Sequence, residues 1–276
     1  MARMSERRWS DAPVCATCGV EHAEPLPETC RICADERQWV PAGGQVWTSL
    51  DELAATREIR FEELERGLWG LTSDPAVGIG QRAILVPGHL LWDPLGVVTD
   101  AAIERIRDLG GAHWVVASHP HMYGAQVAWA EALGARVLVH DADGEWLQRD
   151  HELIDRWTGT RQLAAGLALH TLGGHFPGAA VAIWAEGSDG LGSMLAGDTI
   201  QPKPDRQHVA FMRSYPNDLP LSHRVVRRIA DAAAALRYRR LYGNIPGQLV
   251  ENGPEAVERS AVRHIRWVLG DFDHLT

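Results

Sequence analysis

The spacing of apolar positions changes along the chain. Between residues 59 and 92 apolar residues alternate with polar ones or form short runs, broken by Pro75, Gly78, Gly80 and Pro87-Gly88. This predicts successive strands, the last closed by Asp93-Pro94. Helical and strand patterns then take turns: a helix at 100–109, a short buried strand at 112–117, a helix at 125–133 and a strand at 136–139. Further strands are expected at 166–172, 179–185 and 191–196, then a helix at 221–236, a strand at 239–242 and a last helix at 254–269. Upstream, Ser49-Leu50-Asp51-Glu52 reads as a capping box that opens a short helix. Val40-Pro41-Ala42-Gly43-Gly44 reads as a linker. Strands first, then βα alternation, strands again and terminal helices imply an α+β fold, with two mixed sheets between layers of helices.

Composition narrows this picture without redirecting it. The chain has 276 residues, 45% hydrophobic and 23% charged, enough for one sizeable core plus a small appendage. A formal net charge of −9 gives no global attraction to nucleic acid or anionic lipid. The arginines at 224, 227, 228, 237, 239 and 240 read as a solvated helix face. No apolar stretch approaches the roughly 20 residues of a membrane span. Met1 to Asp11 is arginine-rich and lacks the apolar core of a secretory signal, so a cytoplasmic location is expected.

All four cysteines fall between residues 15 and 33. Cys15, Cys18, Cys30 and Cys33 form two C-x2-C knuckles, the pattern of a tetrahedral thiolate zinc site. Disulfides are the competing reading, which a reducing compartment disfavours. Four thiolates leave no open coordination position, so this zinc is expected to be structural, supplying free energy that so short a segment lacks. His22, between the knuckles, is expected at the surface, and the acidic Glu21, Glu24 and Glu28 make phosphate binding there improbable. The expected division is a zinc ribbon at 1–40, a linker and short helix at 41–58, and the main domain at 59–276.

Thirteen histidines are present, and a few occupy positions suited to ligation. Ser118-His119-Pro120-His121-Met122-Tyr123-Gly124 follows an apolar strand, and an H-x-H pair there can aim both imidazoles at one ion. Leu172-Gly173-Gly174-His175 places a histidine in a glycine-rich turn, and Ala196-Gly197-Asp198 places a carboxylate after a buried strand. Three imidazoles and a carboxylate suit a first-row metal ion. Asp198 could instead serve as a loop anchor, and Tyr123 as packing.

The order of these pieces, with Leu91-Trp92-Asp93-Pro94 upstream, resembles the metallo-β-lactamase superfamily over roughly residues 59 to 270. The resemblance implies an αββα sandwich of two mixed sheets flanked by helices. By it, His119 and His121 match the family's H-x-H pair, His175 the later G-H turn and Asp198 the bridging aspartate. The D-H pair that should follow is replaced by Tyr123 and Gly124, and the last histidine by Gly243-Asn244-Ile245. One ion held by His119, His121, His175 and Asp198 is therefore implied, not two. His208 and Asn244 are the candidates to replace a lost ligand.

The activity so implied is metal-assisted hydrolysis of a small ester, thioester or lactone-like substrate. Asp198 would position water and Tyr123 would donate to the developing oxyanion. Two other classes stay open: a mononuclear-iron oxygenase, which the superfamily also contains, and a non-catalytic binding protein that kept the fold. The expected partner is a small molecule, with neither nucleic acid nor membrane involved. The assembly state is not readable.

Overall fold

The computed structural model describes residues 12–276; the reading of Met1 to Asp11 lies outside them. Ala83 and Leu85 face one side of a sheet, Ile84 and Val86 the other, and all four are buried. A strand buried on both faces must lie in an interior layer, and the rest of the architecture follows from that requirement.

The chain begins with β1 (Pro13–Cys15), which pairs antiparallel with β2 (Trp47–Ser49). Ser49 caps α1 (Leu50–Thr56), and the Glu52 side chain answers its backbone N–H, completing the expected capping box. There follow β3 (Glu58–Glu65), β4 (Leu68–Asp74), β5 (Ala83–Val86), β6 (Leu90–Trp92), α2 (Asp100–Asp108), β7 (Trp114–Val116), α3 (Gln126–Leu133), β8 (Arg136–His140) and β9 (Ile154–Trp157). Strands β3 to β9 lie side by side in chain order as a seven-stranded sheet, antiparallel up to β6 and parallel from β6 to β9.

The second sheet uses β10 (Thr160–Ala164), β11 (Leu167–Thr171), β12 (Ala180–Trp184) and, after the single turn α4 (Gly187–Gly190), β13 (Ser193–Leu195). Two small hairpins come next: β14 (Gln201–Pro202) with β15 (Val209–Ala210), and β16 (Met212–Ser214) with β17 (Leu219–Pro220). Helix α5 (His223–Ala234), β18 (Arg240–Tyr242), β19 (Leu249–Val250) and α6 (Gly253–Val268) complete the chain's main elements. The second sheet runs β10-β11-β12-β13-β18-β19.

Three apolar cores hold the layers. Ile84, Val86, Trp92 and Val116 of the first sheet meet Leu169, Ala182, Leu195 and Tyr242 of the second. The outer face of the second sheet, with Val181, Met194 and Leu241, packs on Val226, Ile229 and Val257 of α5 and α6. The outer face of the first, with Leu85, Val115 and Val137, packs on Ile103, Ile106 and Trp129 of α2 and α3. This is the αββα sandwich the sequence implied. Strands β1, β2, β9, β10, β19 and the two small hairpins were not anticipated, since each is short or lies at a sheet edge.

The cysteine segment joins the third of these cores: Val14, Val20, Ile32 and all four cysteines belong to it. A carboxylate fastens the segment as well. Glu21 is buried, accepts hydrogen bonds from the backbone N–H of Val127 in the first turn of α3 and from Arg149 Nη1 at 2.7 Å, and is pushed above the usual carboxylate pKa by that burial. Two arginines of α5 are engaged: Arg227 pairs with Glu258 and Asp231, and Arg228 donates to the carbonyl of Leu172. No helix among the described residues is long and apolar enough to cross a membrane.

Replacing Glu21 with alanine leaves the N–H of Val127 without its acceptor and the largely buried guanidinium of Arg149 with Glu131 alone. A loss of about 3 kcal/mol is expected from the shift in urea midpoint.

Candidate metal centre

Strand β7 ends at Val116, and the chain turns through Ser118 into His119 and His121 at the rim between the sheets. His175 comes from the turn between β11 and β12, and Asp198 from the segment after β13. The four side chains are buried, and one ligand atom from each lies within 4.8 Å of all the others. Asp198 Oδ2 is 3.6 Å from His119 Nε2 and 3.9 Å from His175 Nε2, and His175 Nε2 is 3.4 Å from His121 Nδ1. Donors at about 2.1 Å from one ion in a tetrahedron stand about 3.4 Å apart, so the spacing fits a first-row metal.

The surrounding bonds set which ring nitrogen carries each proton. His175 Nδ1 lies 3.1 Å from the carbonyl oxygen of Met212, which can only accept, so Nδ1 donates and Nε2 keeps its lone pair. Ser118 Oγ lies 3.1 Å from Asp93 Oδ2 and 2.9 Å from His119 Nδ1, so with Asp93 ionised the hydroxyl donates to the carboxylate and accepts from His119 Nδ1. His119 Nε2 is then a buried lone pair without a hydrogen-bond donor. Gln38 Nε2 donates to His121 Nδ1 at 2.9 Å, which makes that atom a lone pair too. Burial holds His119 and His121 well below the ordinary imidazole pKa, the neighbouring His175 adding to it, and burial lowers His175 as well. Three neutral nitrogens and a carboxylate facing one another are a donor set that fits a cation.

Asp93 supports this arrangement from behind. It is fully buried, adopts φ 52°, and also accepts the backbone N–H of Ser118 at 2.6 Å. Burial pushes its pKa up to about 8. Gly197 leaves room for the relay, since a Cβ there would stand 2.3 Å from the Ser118 hydroxyl oxygen. Asp198 is fixed by Gln201 Nε2 at its Oδ1, 3.4 Å away, and by the Tyr215 hydroxyl at its carbonyl, 3.1 Å away.

The other candidates stand elsewhere. Tyr123 donates its hydroxyl to the carbonyl of Asp143 at 3.0 Å, an anchoring contact, and burial raises its pKa; it is not among the four residues that converge. His208 stays in its own loop, 2.6 Å from Asp205 Oδ2, and does not join the cluster. Asn244 is buried just past β18 with both amide atoms unpartnered, while its carbonyl accepts from the backbone N–H of Arg82. Gly124 occupies the position of a lost ligand for a physical reason. Its φ is 50°, and a Cβ would lie 2.1 Å from the carbonyl oxygen of Pro94. No larger residue fits.

The cysteines gather as a second group. Cys15 and Cys33 Sγ are 3.6 Å apart, Cys18 and Cys30 Sγ 3.8 Å, against roughly 2.05 Å for a disulfide and about 3.8 Å between thiolates on one tetrahedral zinc-sized ion. His22 is not a surface residue as expected: it is buried edge-on to Trp47, with Nε2 3.4 Å from Cys30 Sγ. Gln45 Nε2 donates to Cys15 Sγ at 3.1 Å.

Sequence reasoning missed one group altogether. Beyond Cys33 the chain runs along the rim of the centre. There Asp35 Oδ1 lies 4.0 Å from His121 Nε2, and Arg37 is buried in an ion pair with Asp35. The Arg37 guanidinium sits 3.5 Å above the Phe176 ring and donates to the carbonyl of His175 at 3.1 Å. Only the position of these residues just after a knuckle could have hinted at this.

Two outcomes are expected. Gly124→Ala forces a left-handed backbone and a clash with main chain, so the protein should lose at least about 2 kcal/mol in denaturant unfolding. The pH dependence of the metal-free protein follows from the depressed imidazoles. Below about pH 6.5 the unfolded chain takes up protons that the folded one refuses, so stability falls with falling pH. Urea midpoints at about pH 7.5 and about 5.5 measure it.

No family model matches the chain. The uncharacterized protein YmaE of Bacillus subtilis (strain 168) is 39% identical over 269 residues, 95% of this chain and 98% of YmaE. A hydroxyacylglutathione hydrolase of Anaeromyxobacter dehalogenans (strain 2CP-C) is 32% identical over 126 residues, 44% of this chain and 42% of that protein. Among solved structures, the DIM-1 metallo-β-lactamase aligns with a TM-score of 0.55 at 13% identity, over 75% of this chain and 97% of its own, a likeness of fold. The chain thus belongs to one family with YmaE and has the metallo-β-lactamase fold, with a buried group of three histidines and an aspartate and a four-cysteine cluster near its N-terminus.

Proposed function

We propose that the protein is a metal-dependent hydrolase with one zinc ion at His119, His121, His175 and Asp198 and a second, structural zinc at the four cysteines. The observation that carries this reading is the convergence of three buried imidazole lone pairs and a carboxylate oxygen, with the other polar atoms of His119, His175 and Asp198 fixed by neighbours. Bound there, zinc lowers the pKa of a water to about 7 and polarises an acyl oxygen.

The chain's own groups supply the rest. His119 and His175 are locked in the ligating tautomer by Ser118 and by the Met212 carbonyl. Asp198 keeps Oδ2 towards the imidazoles and leaves Oδ1, held only by the long bond from Gln201, to orient the attacking water and take its proton. Phe176, packed against all three imidazoles and Trp146, keeps bulk water away. Asn244, buried beside this sheet end with a free amide, is the remaining polar group to meet a substrate oxygen.

A small acyl substrate, an ester, thioester or lactone, suits this chemistry. The partial relative's name supports it, being that of an acyl-glutathione hydrolase. One ion is proposed, not two, because Gly124 leaves no space for the missing side chain.

Elemental analysis of purified protein should find zinc at both groups. His119→Ala/His121→Ala should lose one ion and reduce hydrolysis of an aryl ester or acyl thioester by more than about 100-fold. Iron in place of zinc, with oxygen uptake on a thiol, would transfer the site to oxygenase chemistry. Metal content unmoved by the histidine changes would end the reading.

A further inference from the structure

Gln38 is carried by the segment that follows the last cysteine, 83 residues before His121 in the chain, yet its amide nitrogen is 2.9 Å from His121 Nδ1. That atom is the one His121 turns towards His175 Nε2, 3.4 Å away. The amide head therefore stands at the mouth of the donor cluster. Asp35, three residues earlier, faces the other ring nitrogen of the same histidine at 4.0 Å. One short arm touches His121 on both sides.

The arm is held in place. The backbone N–H of Gln38 donates to the carbonyl of Asp35 at 3.0 Å, closing a turn. The Ser214 hydroxyl donates to the carbonyl of Arg37 at 3.0 Å, and the Asn217 amide donates to the carbonyls of Glu36 and Gln38 at 2.9 Å and 3.4 Å. Arg37 is itself buried between Phe176 and the His175 carbonyl. An arm fastened at three consecutive residues delivers its next polar side chain to a fixed place.

An ion on His121 Nδ1 occupies the lone pair that the Gln38 N–H now uses. The amide then loses its acceptor, while a half-turn about its last side-chain bond brings a carbonyl oxygen of nearly the same size to the same spot. Amide oxygens are hard donors suited to divalent cations. We propose that Gln38 is a further member of the metal centre, its amide oxygen entering the ligand shell of the ion at His119, His121, His175 and Asp198. The four-cysteine module thereby furnishes part of the active site. This rests on the metal reading above. It gives that reading a polar group from outside the sandwich, at the centre whose usual partner residue the backbone at Gly124 excludes.

The test uses cobalt-loaded full-length protein. The cysteine cluster contributes near-ultraviolet thiolate charge-transfer bands and red-shifted visible bands, so the ion among nitrogens and oxygens is read from the visible bands that His119→Ala removes. Gln38→Ala should weaken binding at the histidine site about 10- to 100-fold in chelator competition and shift the ligand-field bands. Gln38→Glu, which keeps an oxygen at that position, should restore affinity. Equal affinity and identical bands in wild type and Gln38→Ala, with the wild-type bands abolished by His119→Ala, would overturn the role of Gln38 alone. Wild-type protein that shows thiolate bands and no others would overturn the metal reading and this inference together.

Discussion

Lone pairs directed at one another inside a protein repel unless a cation or a proton lies among them, and nearly everything around His119, His121 and His175 serves to keep them so directed. Water is excluded by Phe176 and the sheet rims, so the imidazoles stay neutral. Their tautomers are then fixed by groups that offer a single choice, a main-chain carbonyl for His175 and a serine hydroxyl committed to a carboxylate for His119. The cost of burying Asp93 and of its left-handed backbone belongs to the same arrangement. Polar networks of this kind are stable only when every member is satisfied, and here His119 Nε2, which faces the centre, is left without a partner.

The two-sheet scaffold makes that convergence achievable. Short strands β7, β12 and β13 bring their ends to one rim, and the loops beyond them need only a few residues to place a side chain. The parallel pairing of β6, β7 and β8 puts Asp93 and Ser118 at neighbouring strand ends, so the relay from Asp93 to His119 follows from strand register.

Local pattern made these elements legible. Strong periodicity marked α2, α5 and α6, and glycine or a strand end marked His119, His175 and Asp198. The edge strands β9 and β10 carry polar residues on exposed faces, as in Thr160-Arg161-Gln162, and gave no period to read. The hairpins between Gln201 and Pro220 are too short to have one. Gln38, Asp35 and Arg37 were hidden for a different reason. Their contacts span most of the chain from residue 35 to 217, and nothing in a segment that looks like a solvated tail announces where it will be clamped. Nor did order along the chain say where the Tyr123 hydroxyl would bond, at the carbonyl of Asp143.

The cysteine sulfurs are sealed beneath the first sheet, with Cys15 and Cys30 entirely shielded from solvent. An ion held there would approach solvent only beside Cys18, which keeps 8% exposure. Its exchange would then follow how readily that edge opens, while affinity would set only where the balance finally rests.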